Sequence, residues 1–329
     1  MRKIVVITGA GAGLGRATAL EFARRGCDVA LLSRDPGRLE ALATAVRTLG
    51  RRALPIPTDV AVADQVEAAA AQVEDELGPI DTWVNVAMAT VFAPVSALTA
   101  QEVLRATQVT YLGQVYGMMA ALKRMRKRNH GTIVNVGSAL AYRSVPLQSI
   151  YCGAKAAIRG FTDSLRSEIL HDRLRIRLTM VQLPALNTPQ FDWALNKMKR
   201  KAQPIPPIFE PEVAARAIYF AATHRRREVW VGYSSVRAII ANRIVPGLLD
   251  RLLAKQGYSG QLSTVPLPRA APANLFHAVP GYHTAHGRFD AQSSATSAQM
   301  FTDRHRQVLL LGVVVAAVLG VRALLRRGR

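Results

Sequence analysis

Cysteine is nearly absent: Cys27 and Cys152 are the only two in 329 residues. Two thiols cannot build a disulfide framework or a four-thiolate zinc site, so a reducing compartment is expected. Acidic residues are scarce after position 100. Residues 1–100 carry 10 basic and 11 acidic side chains, whereas residues 101–329 carry 33 and 11, and the net charge is +21. No internal repeat of solenoid period is present. The N-terminal apolar stretch is too short for a signal peptide and runs into glycines, so none is expected. His283 and His286 lie three apart without an evident carboxylate partner, and no metal site is expected.

Half of the chain is apolar and a fifth is charged, enough to bury a core and to exclude a wholly disordered protein. Short apolar runs alternate with longer amphipathic stretches. Lys3–Thr8, Asp28–Ser33, Ala53–Thr58, Asp81–Val86, Thr132–Val136, Arg175–Leu183 and Glu228–Tyr233 read as strands. They are nearly continuously apolar, as in strands covered on both faces. Helical patterns fill the gaps at 14–25, 36–49, 62–77, 100–127, 148–171 and 211–223. The alternation predicts an α/β fold: a Rossmann-type doubly wound parallel sheet of seven strands.

The rhythm stops after Tyr233. Residues 1–235 are expected to form the catalytic domain, 236–255 a helical extension broken at Pro246-Gly247, and 256–305 a linker or loosely ordered wrap. Residues 306–329 contain the apolar stretch Val308–Leu325, with one charge, Arg322, and arginines on both flanks. It meets the lower length limit for a membrane span, so membrane association is expected, with the catalytic domain facing the cytoplasm. A soluble cytoplasmic protein is the alternative. The basic clusters Arg24-Arg25, Arg51-Arg52, Lys123 to Arg128, His171 to Arg173 and Arg225 to Arg227 fall where helices lead into strands. They are therefore expected on one edge of the sheet, where they can meet an anionic membrane surface. No aromatic residues interleave with them, so nucleic acid is not expected.

The first strand runs into Thr8-Gly9-Ala10-Gly11-Ala12-Gly13-Leu14-Gly15 and then a helix. A glycine-rich strand-to-helix turn offers bare backbone N–H groups and a helix N-terminus to a pyrophosphate. The end of strand two carries Ser33-Arg34 rather than a carboxylate. Arg34 can pair with an adenosine 2′-phosphate, with help from Arg16, which favours NADP(H) and leaves NAD(H) open. Tyr151 and Lys155 stand four apart on a helical stretch and share a face. A nearby ammonium favours the phenolate, so Tyr151 is expected to be an acidic phenol, acting as general acid in carbonyl reduction and general base in alcohol oxidation.

Over residues 1 to about 235 the sequence resembles the short-chain dehydrogenase/reductase family in its classical form. The resemblance rests on the Thr8–Gly15 turn, Asp59, Asn85, Ser138 and Tyr151-Cys152-Gly153-Ala154-Lys155. It implies an NAD(P)-dependent enzyme acting on CH–OH groups, with Ser138 holding the substrate oxygen and Lys155 binding the nicotinamide ribose. It further implies that Gly9, Gly11, Gly13, Leu14, Gly15, Ser33 and Arg34 bind the cofactor. Asp59, Val60, Asn85, Pro184 and Thr188 join them, together with Tyr151 and Lys155. A homodimer or homotetramer is implied, with the 100–127 and 148–171 helices at the interface. Three positions depart from the family pattern: Met88 replaces a glycine, Thr110 stands where a catalytic asparagine is usual, and Ala185 follows Pro184. The glycine spacing separates the chain from extended epimerases. Phe191, Trp193, Leu195, Met198, Ile205, Ile208 and Phe209, in a segment after strand six, predict a lid over an apolar carbonyl or alcohol. A cofactor-binding regulatory or scaffold protein with weak turnover is the alternative function.

Overall fold

The structure is a computed structural model that describes residues 2–281 and 284–306. Seven strands form the central sheet: β1 (Ile4–Thr8), β2 (Asp28–Ser33), β3 (Ala53–Pro57), β4 (Thr82–Asn85), β5 (Gly131–Val136), β6 (Ile176–Gln182) and β7 (Glu228–Trp230). All pair in parallel, in the order β7-β6-β5-β4-β1-β2-β3. The order reverses beside β1, which leaves a crevice at the C-terminal ends of β1 and β4.

Helices cover both faces. On one face α1 (Gly13–Arg24), α2 (Pro36–Thr48) and α8 (Pro211–Thr223) bury Phe22, Leu39, Leu42 and Ile218 in one cluster, α1 and α2 against β1 to β3 and α8 against β5 and β6. On the other, α3 (Ala63–Glu76), α5 (Gly113–Arg128) and α6 (Ser149–His171) bury Val73, Met118, Met125 and Leu165. Each such fully buried side chain contributes about 1.5–3 kcal/mol of transfer free energy. The predicted helix 100–127 is interrupted. Between α4 (Ala100–Thr107) and α5 the chain makes a π turn at Gln108–Leu112.

The short helix α7 (Gln190–Trp193) follows β6. After β7 come α9 (Gly232–Ile244) and α10 (Pro246–Gln256). The stretch beyond 256 packs back onto the domain. Leu262–Pro266 pairs antiparallel with Arg200–Ala202. Ser293–Ser294 joins Ile208–Phe209 and Ala185–Leu186 in a small parallel sheet. A final helix, α11 (Ala298–Arg304), rests on α9 and the end of α8. These links are backbone pairings, so no hydrophobic period announces them. Val308–Leu325 lies outside the described residues. Among the described residues no helix is long and apolar enough to cross a membrane.

The basic clusters do fall at helix-to-strand junctions. Many of their charges are paired: Arg25 with Glu21, Arg52 with Asp28, Arg124 and Arg128 with Glu74, Arg126 with Asp172 and Arg227 with Asp163.

Candidate active site

One cavity of about 750 Å³ runs from the glycine turn past Tyr151 to α10. At one end of it the backbone of β1 turns sharply into α1. Gly9 has φ +69°, and a Cβ there would lie 2.8 Å from Ala87 Cα; one on Gly15 would lie 2.0 Å from the Gly9 carbonyl oxygen. Both positions therefore require glycine. Gly9, Gly11, Gly13, Leu14 and Gly15 all line the cavity. No side chain caps the N-terminus of α1 at Ala12, so its first N–H groups are left to other acceptors.

Ser33, Arg34, Asp59 and Val60 also line the cavity. Asp35, one residue past Arg34, is engaged locally. Its carboxylate caps α2 by accepting from the Arg38 amide at 3.0 Å and sits 3.4 Å from the Arg38 guanidinium. Arg38 was not foreseen as a site residue. It is 7% exposed, lines the cavity and lies over the Trp193 ring, 4.7 Å from its centroid. Burial lowers the Arg16, Arg34 and Arg38 guanidinium pKa values from their ordinary value. Arg16 itself does not line the cavity.

At the other end, Ser138, Tyr151 and Lys155 come together on one wall, with Pro184 and Thr188 opposite the glycine turn. Ser138 Oγ accepts from the Leu140 amide at 3.1 Å, which leaves its hydroxyl proton to turn toward Tyr151. Lys155, 1% exposed, donates from Nζ to the Val136 carbonyl at 2.6 Å and lies 5.5 Å from the Tyr151 ring centroid. Burial pushes Lys155 down to about 7. Burial also pushes Tyr151 up to about 12, against the opposing pull of the Ser138 hydroxyl. Burial of the ring thus opposes the acidic phenol expected from the sequence. Lys155 aims its proton at a carbonyl rather than at the phenol, and burial of the ring outweighs the Ser138 hydroxyl.

Two expected site residues are turned away from the cavity. Asn85 is fully buried. It accepts from the Trp83 indole at 2.8 Å and donates to Asn135 at 2.9 Å, tying β4 to β5. Thr110 is fully buried in the π turn; its hydroxyl donates to the Ala89 carbonyl at 2.7 Å and accepts from the Ala89 amide at 2.9 Å. A hydroxyl with its proton so committed is unsuited to a proton relay. Gln114 lies nearer the chemistry: its amide donates at 3.1 Å to the same Val136 carbonyl as Lys155.

The lid residues divide. Phe191, Trp193 and Ile205 line the cavity, whereas Ile208 and Phe209 are buried outside its lining. The wall beyond Tyr151 comes largely from the extension: Ala238 and Ala241 of α9, and Leu249, Leu252 and Leu253 of α10. Met88 lines the cavity as well.

The chain belongs to the short-chain dehydrogenase family, whose model matches residues 3–199. It is 31% identical over 283 residues to an uncharacterized oxidoreductase of Bacillus subtilis, YxnA, covering 85% of this chain and 80% of that one. It is 30% identical over 245 residues to mouse estradiol 17-beta-dehydrogenase 11, covering 74% and 80%. Among solved structures, an alcohol dehydrogenase from Thermococcus sibiricus, complexed with 5-hydroxy-NADP, is 25% identical. Its TM-score is 0.60, over 70% of this chain and 96% of that one. A short-chain dehydrogenase from Streptomyces avermitilis shares the fold, with a TM-score of 0.64.

The family is one of oxidoreductases using NAD(P)(H), and the residues here fit a dinucleotide. Ser33 Oγ and Arg38 Nη2 are buried without a hydrogen-bond partner. A Cβ on Gly11 would lie 2.7 Å from Ser33 Oγ, so the bare glycine keeps the space beside that hydroxyl open.

Proposed function

We propose that the chain interconverts a carbonyl and an alcohol on an apolar substrate with NADP(H), Tyr151 serving as general acid and base. The observation that carries this reading is the convergence of Ser138, Tyr151 and Lys155 on the wall of the same cavity as the glycine turn. Bound dinucleotide supplies or accepts the hydride. Ser138 donates its hydroxyl proton to the substrate oxygen and holds it near the Tyr151 hydroxyl. A phenol with its pKa at about 12 is protonated at neutral pH, which suits the proton donor of carbonyl reduction. Lys155, in its ammonium form, binds the nicotinamide ribose and favours ionisation of Tyr151. Gly9, Gly11, Gly13, Leu14 and Gly15 receive the pyrophosphate, with Asp59 and Val60 beside the adenine and Pro184 and Thr188 beside the nicotinamide.

NADP(H) is preferred over NAD(H) because Arg34 follows β2 and Arg38 lies in the first turn of α2, while Asp35 is occupied as a helix cap. An apolar substrate is favoured by Leu249, Leu252, Leu253 and Ile205 along the far wall. NADPH consumption against a panel of apolar ketones and aldehydes tests the reading. Turnover supports it; tight NADPH binding with no turnover on any member supports the scaffold alternative, which Met88 and the committed Thr110 hydroxyl favour.

The basic edge is read as a contact for an anionic membrane. Arg304 stacks near Phe220 and Asp303 lies 4.0 Å from Arg226, so the described chain ends at that edge, shortly before Val308–Leu325 in the sequence. Vesicles containing phosphatidylserine should bind the full chain and release it at high salt. Binding insensitive to salt and to charge reversal at Arg225–Arg227 contradicts this reading. Self-association through α5 and α6, where Met119 is 59% and Leu170 is 70% exposed, is the proposed oligomeric contact. Light scattering of Met119→Glu against the parent checks it, since a monomeric parent contradicts it.

A further inference from the structure

Part of the C-terminal extension lies on the groups that recognise the nucleotide's anions. Arg34 donates from Nη2 to the Asn274 carbonyl at 2.5 Å and from Nη1 to the Phe276 carbonyl at 3.0 Å, with the Leu275 carbonyl at 3.4 Å. Arg105 adds a bond from Nε to the Leu275 carbonyl at 3.1 Å while its Nη2 pairs with Asp59 at 2.5 Å. The Leu275 side chain is fully buried in the cluster that holds Val60, Ala106 and Val109. The Asn274 amide donates to the Trp193 carbonyl at 2.8 Å, tying the stretch to the lid. Farther on, the Thr284 carbonyl accepts from the Gly13 amide at 3.0 Å, at the uncapped N-terminus of α1.

Two independent anion-recognising elements, a part-buried guanidinium and a glycine-turn amide, are thus engaged by backbone oxygens of the extension. Both ends of the stretch are anchored elsewhere. Leu262–Pro266 is paired with Arg200–Ala202, and Asn187 holds the Phe289 amide at 3.0 Å and Asp290 at 2.7 Å. Between these anchors, Asn274–Phe276 is held by Arg34, Arg105, the Trp193 carbonyl and the buried Leu275 side chain.

We propose that Asn274–Phe276 is an internal competitor for Arg34 that determines cofactor choice: the 2′-phosphate of NADP(H) displaces these carbonyls, and NAD(H) does not. The proposal deepens the NADP(H) reading and rests on it. A phosphate forms charge-assisted bonds to a guanidinium, often bidentate, which are roughly twice as strong as bonds to neutral acceptors. A ribose hydroxyl is a neutral acceptor and has no such advantage over a carbonyl. The dinucleotide without the phosphate therefore meets a closed strap, and the phosphorylated one opens it. Only nucleotides that carry the phosphate uncouple Asn274 from Trp193.

Hydrogen–deuterium exchange of the full chain at the Asn274 amide reads the strap directly. The probes are 2′,5′-ADP, which carries the phosphate, and 5′-AMP, which lacks it, each with binding measured by calorimetry. Saturating 2′,5′-ADP should speed exchange at Asn274 by about tenfold or more, and 5′-AMP should not. Arg34→Leu should reach the fast rate without ligand and show no further response. Leu275→Ala, which leaves Arg34 in place, should also speed exchange and raise NAD+ affinity relative to NADP+. If 2′,5′-ADP binds while Asn274 stays protected, the competition is overturned and the NADP(H) reading survives. If 2′,5′-ADP does not bind, the cofactor reading fails and the competition fails with it.

Discussion

At the glycine-turn end of the cavity the chain presents backbone: glycines without Cβ atoms, an uncapped helix N-terminus, and Arg34, whose partners are carbonyls. At the substrate end it presents side chains whose proton affinities are displaced, Tyr151 upward and Lys155 downward, inside walls of leucine and alanine. The first end suits recognition of a fixed, highly charged ligand by geometry. The second suits proton movement in a place with little water, where burial alone shifts each group by units of pH. Substitutions at the two ends should therefore fail in different ways.

The largest expected effect at the nucleotide end is from Gly15→Val. Its Cβ would meet the Gly9 carbonyl at 2.0 Å, so the turn must shift. NADPH affinity should fall by about a hundredfold or more, the size of a loss of 2.7 kcal/mol or more. Binding within a few-fold of the parent, by calorimetry, breaks the claim that the turn holds the pyrophosphate. Next is Arg34→Leu, which should lower the preference for NADPH over NADH by about tenfold to a hundredfold, the worth of one strong charge-assisted contact. A preference that does not move assigns the 2′-phosphate to other residues.

The substrate end should respond to pH. Lys155 sits near 7 when ligand-free, so its ammonium is lost as pH rises through that value. If the ammonium binds the ribose, kcat/KM for NADPH should fall by about tenfold per unit above that point, since this ratio reports groups of the free enzyme. A profile flat from about pH 6 to 9 contradicts the role given to Lys155. Leu253→Asp, on α10, should raise KM for an apolar ketone by about tenfold and leave NADPH affinity unchanged, as loss of one apolar wall contact implies.

The smallest effect concerns His286. Burial lowers its pKa, but the hydrogen bond to Asp290 at 2.6 Å and the nearby Glu212 at 2.9 Å together raise it above the ordinary 6.5. The folded chain therefore binds this proton more tightly than the unfolded one. Its stabilisation is complete below pH 6.5 and is lost as pH rises through the folded value. The melting temperature of the parent should fall more steeply with pH than that of His286→Gln; parallel curves contradict the linkage.

The sheet and the glycine turn were legible because their physics is local. A β-branched run covered on both faces has few readings, and a turn that leaves no room for Cβ writes itself as glycine. Tyr151 and Lys155 were legible from their helical spacing, but the Tyr151 pKa was not, because desolvation depends on everything packed around the ring. Asn85 and Thr110 occupy the expected places in the chain, yet their polar atoms serve Trp83, Asn135 and Ala89. Residue identity at a known spacing does not reveal which way a side chain turns. The helices at 236–255 were foreseen, but not the face that lines the cavity. The hold of Asn274–Phe276 on Arg34 runs through backbone carbonyls, which every residue carries, so no pattern of side chains could disclose it.

The central claim is that the Tyr151 hydroxyl carries the proton. The most direct measurement is kcat/KM for NADPH-dependent reduction of one apolar ketone by the parent and by Tyr151→Phe, with NADPH affinity measured in both. The account expects a loss of about a hundredfold to ten-thousandfold, the range of general acid catalysis, at unchanged NADPH affinity. Reduction by Tyr151→Phe at the parent's rate contradicts it.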